Sequence, residues 1–295
     1  MVKEYSRPAA GKLDTDPCDL RPPDILHKSV CYLINNVIPL CDSNWYRTYE
    51  YVFDRLRAVR QDMVMQQVAG TEAVWLLERI SDFHIYAGYR LCTEPVATFD
   101  PKMNDTHTQE CLKRLLCLYQ EEDTCRCHMG AYVALYMLFN LGSTEATLWG
   151  LQLKPRIGSC AVYQIALAMN LAWMNSNYIR VMRLAKSLPY LHMCAFHRHL
   201  ALIERRVLQV MNVGFSSRNL KYSLSDLSDI LLMSETETES LCRQCGLECA
   251  NGTVRFFKGL LKDDVTMQPH RYNFIDASLT TSLSECLRGD DECSC

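Results

Sequence analysis

"YVFDRLRAVRQDMVMQQ", residues 51–67, sets Asp54, Arg55, Arg57, Arg60 and Asp62 within nine positions, among aromatic and aliphatic residues. Charges this closely spaced fit three arrangements: a catalytic carboxylate set, a phosphate-binding surface, or ion pairing along a helix. Helical geometry separates them. At about 100° per residue, Val52, Leu56, Val59 and Met63 fall in one narrow apolar stripe, so the segment is expected to be a helix that faces a core. Arg55, Asp62 and Gln66 border that stripe on one side. Asp54, Arg57 and Gln61 lie on the far side, linked at i+3 and i+4. The expected arrangement is a half-buried Arg55–Asp62 ion pair, or caps on neighbouring backbone, with Arg57 solvating the outer face. Asp54 and Asp62 project about 80° apart. Each has an arginine nearby that keeps it ionised, which argues against an acid–base pair. Arg57 and Arg60 stay open as contacts to phosphate or to a partner.

Outward from this helix the same 3.6-residue period recurs from Leu26 to about Phe215. Val30, Leu33, Ile34 and Val37 share a face in "SVCYLINNVI", and Val74, Leu77, Ile80 and Ile85 do so further on. Leu112, Leu115, Leu116 and Tyr119 repeat the pattern. Breaks are expected at Pro39, "EPVATFDPKMND", "EDTCRC", Gly142 and Pro155, and Asp24 is a candidate cap behind Pro22 and Pro23. "AYVALYMLFNL" (131–141) is too short to span a bilayer, which needs about 20 apolar residues, and reads as a buried helix. Between 160 and 212 three helices follow one another with turns at Asn- and Pro-marked positions. That order suggests a stacked helical array of degenerate repeats.

After Gly214 the character changes. "YSLSDLSDILLM" reads as a short helix capped by Ser223 or Ser225. Ser234 and Glu237 stand at capping-box spacing, and Gly246 sits where a left-handed residue ends a helix. Asn251-Gly252 marks a tight turn, and "TVRFFKGLL" and "HRYNFID" read as strands. Helix, turn, helix and hairpin is the order of a winged helix. Its second helix carries Glu235, Glu237 and Glu239 against Arg243 alone, which argues against reading a phosphate-lined groove. Arg255, Lys258, Lys262 and Arg271 on the wing side are the candidates for weak RNA or DNA contact or for a partner.

The 295 residues carry a formal charge of -3, with 48% hydrophobic and 22% charged residues. A chain this size can bury a full core, and nothing global draws it to nucleic acid or an anionic membrane. Its 16 cysteines are irregularly spaced and no signal peptide precedes them, so most are expected to be reduced, buried thiols. "CRCH" (Cys125, Cys127, His128) and "CRQC" (Cys242, Cys245) have poor spacing for zinc, and His192, His197 and His199 lack HExxH spacing. No phosphate-binding loop, nucleophile elbow or dinucleotide fingerprint occurs. No catalytic residue, cofactor, metal or small-molecule substrate is therefore expected.

The string Asp54-Arg55-x-Arg57-Ala58-x-Arg60-Gln61-Asp62 resembles the signature helix of the SAC-three/GANP/THP-three family. "VKEYSRPAAGK", "LRPPDILHKSVCYLINNVI", "LERISDFHIYAGYRLC", "LYMLFNLGSTEA" and "MNSNYIRVMRLAKSLPYLHMC" resemble its other stretches, so the likeness covers roughly residues 2–275. It implies a mainly α fold: PCI-like stacked helical repeats followed by a C-terminal winged helix. The implied organisation is an extended or disordered arm (1–20), a helical-repeat domain (21–215), a winged-helix subdomain (216–279) and a disordered tail (280–295). Relatives carry a Cys-Pro segment upstream of "VKEYSRP", expected here to be absent or trimmed. The resemblance further implies a non-enzymatic scaffold, with a PCI subunit and a small acidic Sem-type protein as partners. At 295 residues the chain resembles the family's short form, which implies a role in centrosome duplication, spindle assembly and mitotic progression, in nucleus and cytoplasm and at the spindle in mitosis. The larger relatives imply a subunit of a transcription-export complex.

Overall fold

Residues 51–65 of that stretch lie in α2 (Trp45–Met65), and Val52, Leu56, Val59 and Met63 are all buried, as the spacing predicts. The computed structural model describes residues 2–7, 17–40, 44–121, 127–217, 219–257, 259, 261–262 and 269–288. α1 (Pro23–Tyr32) precedes α2 and starts with Pro23 in its first turn, where a missing N–H costs nothing. Asp24 does not cap it: Pro22 holds the cap position without a side-chain bond, and Asp24 pairs with Lys28 at 3.5 Å. α1 runs on through a π turn, Leu33–Val37, and a 3-10 turn, Ile38–Leu40.

Eight helices follow: α3 (Gly70–Arg90), α4 (Pro101–Leu118), α5 (Met129–Phe139), α6 (Thr144–Ile157), α7 (Ala161–Met174), α8 (Tyr178–Ala185), α9 (Tyr190–Phe196) and α10 (Leu200–Gly214). Asp100, Ser143 and Asn177 side chains accept backbone N–H groups at the starts of α4, α6 and α8. α3 packs on α1, α2, α4 and α9, and α5 packs on α4, α6, α7 and α9. These two inner helices are buried on nearly all sides, which is why α5 reads as an unbroken apolar run. Two expectations shift. Pro155 sits inside the last turns of α6 rather than ending it, and the third helix of the 160–212 run divides into α9, a 3-10 turn at His197–His199, and α10.

A smaller unit closes the chain: β1 (Tyr222–Ser223), α11 (Leu224–Leu231), α12 (Glu235–Gln244), β2 (Glu248–Ala250) and β3 (Thr253–Arg255). The strands pair antiparallel in the order β1-β3-β2, with Val254 opposite both Tyr222 and Cys249. Ser223 caps α11, the Ser234–Glu237 capping box forms, and Gly246 has φ of 84°. Asn251 and Gly252 both take positive φ, 51° and 68°, the requirement of a two-residue hairpin turn. That turn places the hairpin between 248 and 255, not between "TVRFFKGLL" and "HRYNFID" as the sequence reading expects. "HRYNFID" instead contains a short helix, α13 (Asn273–Asp276), packed on α9. The Tyr89 hydroxyl of α3 fastens it, donating to Asp276 Oδ1 at 2.9 Å and accepting from the Tyr272 N–H at 3.1 Å.

The expected disordered tail at 280–295 is also corrected in part. Residues 283–288 form α14 (Leu283–Arg288), with Leu287 fully buried against the inner layer. Ser282 and Glu285 exchange backbone bonds at its start, at 2.9 and 3.3 Å. Buried Arg79 of α3 donates to the carbonyls of Leu287 and Arg288 at its end, and Arg288 donates to Asn35 at 2.8 Å. The polar composition of the tail hid a capping box and one apolar anchor. Residues 289–295 lie outside the described residues. Leu287→Ala should lower stability by about 2–5 kcal/mol, read as a shift of the urea midpoint at constant slope.

Candidate functional site: a charged helix that holds the N-terminal arm

Residues 2–7 run along the outer side of α2, and the charged string takes hold of them one after another. Asp62, with none of its surface exposed, receives Lys3 Nζ at 2.9 Å and Arg21 Nε at 2.7 Å. Arg55 reaches Glu4 at 2.6 Å and Asp54 at 2.9 Å, and its guanidinium lies 4.1 Å from the centre of the Tyr51 ring. Asp54 Oδ2 accepts the Tyr5 N–H at 3.1 Å. Arg57 stacks on the Tyr5 ring at 3.9 Å, a cation–π contact. Gln61 donates to the Ser6 carbonyl at 3.0 Å, and Gln66 donates to the Arg21 carbonyl at 2.7 Å. Arg60 turns the other way, toward α4, where it meets His107 at 2.6 Å and Glu110 at 2.7 Å.

Ion pairing along a helix is thus the arrangement present, but with different partners. The expected Arg55–Asp62 pair does not form; Arg55 goes to Glu4 and Asp62 to Lys3 and Arg21. The physical reason is burial. A buried carboxylate gains more from two converging cations than from one neighbour on its own helix. Arg57 does not simply solvate the outer face, because Tyr5 covers it. Asp54 and Asp62 hold different arm groups, so no shared proton or common substrate position links them. The sequence reading misses Lys3, Glu4, Tyr5, Ser6 and Arg21. Their signal is the alternation of charge and aromatic in "VKEYSR", complementary to the string on α2.

The other singled-out residues scatter. Arg255 pairs with Glu248 across the hairpin at 3.3 Å, and Lys262 is exposed. Lys258 lies outside the described residues. Arg271 leaves the wing and binds Asp276 at 2.8 Å, with the Tyr89 ring 6.0 Å away. The three described cations therefore do not form one surface. On α12, Glu237 is used in the capping box and Glu239 in an ion pair with Arg243 at 2.6 Å. His192 and His199 donate through Nε2 to the carbonyls of Ala131 and Phe139, fastening the α9–α10 region to α5, and burial pulls both imidazoles down to about 4. Cys242, Cys245 and Cys249 are buried thiols pushed up by burial. Cys127 is disulfide-bonded, unlike the reduced thiols expected, and Cys125 lies outside the described residues. Among the described cysteines Cys18 and Cys117 are exposed. Among the described residues no His, Cys, Asp and Glu cluster is placed to hold a metal, and no helix is long and apolar enough to cross a membrane.

Sequence reasoning also misses a buried polar network under α14. Tyr119 donates to Glu78 at 2.6 Å, Tyr132 donates to Asp82 at 2.7 Å, and Arg79 donates to the Tyr132 oxygen at 2.7 Å. Burial pushes Asp82 up to about 6 against the pull of Arg79. On α10, Glu204 is fully buried and neither oxygen has a partner in hydrogen-bond geometry. Burial pushes it up to about 7, partly offset by the nearby Tyr272 hydroxyl.

Four outcomes test these assignments. Asp62→Ala should cost about 3–5 kcal/mol in denaturant unfolding, because it strands Arg21. Lys3→Ala should cost about 1 kcal/mol or less, since Lys3 is partly solvated. A carboxylate whose folded value is raised is more protonated folded than unfolded, so stability falls as pH rises. Glu204 should therefore remove about 2–4 kcal/mol between pH 4.5 and 7. Glu204→Gln should flatten that part of the stability–pH curve.

The comparisons with known proteins agree with this architecture. The family model described as SAC3/GANP family matches residues 1–251. The chain is 26% identical over 98% of its length to Protein xmas of Drosophila melanogaster. It is 26% identical over 83% to SAC3 family protein B of Arabidopsis thaliana, and 26% identical over 85% to SAC3 family protein 1 of Schizosaccharomyces pombe. It spans 15%, 15% and 26% of those proteins' own lengths. The charged α2 string with its docked arm thus stands within a match that covers most of the protein, and the chain belongs to the SAC3/GANP family.

Proposed function

We propose that this chain is a non-enzymatic protein-interaction scaffold working in a transcription-coupled mRNA-export complex. The observation that carries the reading is the family match over residues 1–251, on a molecule whose α2 charge cluster is spent largely on holding its own arm. Such a cluster builds a surface and leaves no acid–base pair. The partners of this reading are a PCI subunit and a small acidic Sem-type protein. The unit from β1 to β3 serves as a winged helix. Its acidic α12 turns it toward protein partners rather than a phosphate-lined groove. Weak backbone contact with RNA or DNA falls to Arg255 and Lys262, since Arg271 is engaged elsewhere.

The chain acts in nucleus and cytoplasm. Depletion should retain polyadenylated RNA in the nucleus, and a tagged chain should mark the nuclear rim through interphase. A tagged chain confined to centrosomes and spindle, with RNA export unchanged, would overturn this reading and favour the centrosome and spindle role. Arg255→Ala with Lys262→Ala should weaken single-stranded RNA binding and reduce the salt slope by about 1–2, read by titration at several salt concentrations.

A further inference from the structure

α1 buries Leu26 and Val30 and carries Ile25, Lys28, Ser29 and Tyr32 on an outer face, at i, i+3, i+4 and i+7. That face lines a cleft of about 550 Å³. The arm adds Val2 and Lys3 to its walls, the entry to α1 adds Arg21, and α2 adds Tyr51. Ile25 is 37% exposed and Tyr32 49%, so two large apolar side chains stand in water beside cations.

The cleft is positive. Its walls bear Lys3, Arg21 and Lys28, and no carboxylate among the described residues. The acidic groups around it are already engaged. Asp62 takes both Lys3 and Arg21, so one negative charge answers two positive ones. Glu4 and Asp54 take Arg55, which lies over the Tyr51 ring. Asp24 meets Lys28 at 3.5 Å with both side chains well exposed, where a pair contributes little. Ser29 donates its hydroxyl to the Ile25 carbonyl at 2.7 Å. The sharpest deficit is on Arg21. Its Nε donates to Asp62 at 2.7 Å, whereas Nη1 and Nη2 are buried with no acceptor. Unmet buried donors are costly, so this guanidinium gains from an incoming acceptor. Its free pair of nitrogens suits the two oxygens of one carboxylate.

We propose that this cleft docks an acidic segment of a partner protein. An aspartate or glutamate carboxylate supplies the acceptor that Arg21 Nη1 and Nη2 lack, and an apolar neighbour covers Ile25 and Tyr32. Val2 and Lys3 shift to admit it, and the hold of Lys3 is modest because its ammonium is partly solvated. Lys3 and Arg21 exceed Asp62 by one positive charge, which a carboxylate balances and a phosphoryl dianion overshoots.

The partner rests on the scaffold reading, but the test uses the whole chain and a peptide, so its failure leaves the export assays unaffected. A short labelled peptide alternating glutamate with leucine is titrated into the purified protein and followed by fluorescence anisotropy. Its glutamine counterpart and a version with phosphoserine for glutamate are titrated beside it. The glutamate peptide should saturate, and the glutamine peptide should bind about ten-fold more weakly or worse. Lys28→Glu at the exposed rim should weaken binding about ten-fold. Arg21→Lys keeps a charge for Asp62 but loses the paired donors, and should weaken it about as much. If that variant unfolds, Lys28→Glu still decides. Lys186→Glu, exposed just after α8 and outside the cleft, should change nothing. Equal binding of the glutamate and glutamine peptides, or affinity unmoved by Lys28→Glu, would overturn the proposal. A phosphoserine peptide that binds about ten-fold tighter, or single-stranded RNA that displaces the peptide, would also overturn it and point to phosphate. Tighter binding after Asp290→Asn, Asp291→Asn and Glu292→Gln together would overturn it in favour of the chain's own acidic residues.

Discussion

Asp62 is a carboxylate with no exposed surface, and the outer layer of the molecule is arranged around that fact. A buried charge is tolerated only when opposite charge and hydrogen bonds replace the water it loses. Lys3 and Arg21 supply them from two other parts of the chain, one in the arm and one just ahead of α1. Satisfying Asp62 therefore fixes the arm on α2 and the entry to α1 on the same helix. The solution is incomplete, since Arg21 turns Nε to Asp62 while Nη1 and Nη2 are buried without partners. Such a pairing contributes modest net stability and a definite geometry. Arg55, Arg57 and Gln61 extend the same grip along residues 4–6.

The inner layer follows a different rule. α3 and α5 are almost wholly buried, so the polar groups they carry must find partners inside. Arg79 does so by closing the end of α14, and Tyr119 and Tyr132 by binding Glu78 and Asp82. His192 and His199 reach backbone carbonyls of α5 across the helix layer. Exceptions remain: the Ser81 Oγ on α3 and both Glu204 oxygens, at the junction of α10 and the closing unit, have no partner in hydrogen-bond geometry. His84 and His197 satisfy one nitrogen each, through Asn104 and the Cys194 carbonyl.

Legibility in the sequence followed range. The stripe Val52, Leu56, Val59, Met63 and the caps Ser234–Glu237, Ser223 and Gly246 were readable because each depends on residues a few positions apart. The Asn251-Gly252 turn was readable for the same reason, although the strand before it was not: "ECA" is too short to show alternation. The charged string on α2 was readable as structural ion pairing, yet its partners were not. Lys3 and Arg21 lie 59 and 41 positions from Asp62, and periodicity carries no information over that distance. Arg271 illustrates the converse error. Proximity in sequence placed it on the wing, whereas Asp276 and Tyr89 hold it against the helical body.

What the sequence determined by itself is the mainly helical class, the core-facing side of each long helix, the tight turn at Asn251-Gly252, and the family whose string α2 carries. These follow from local backbone preference and from the 3.6-residue repeat of apolar side chains, which act before any tertiary contact forms. Only the tertiary structure decided that Asp62 faces Lys3 and Arg21 rather than Arg55, that α14 docks under Arg79, and that Lys3, Arg21 and Lys28 share one cleft. Those choices turn on desolvation. Which charges must be paired, and which nitrogens stay open, depends on what burial removes from water once helices far apart in the chain have packed.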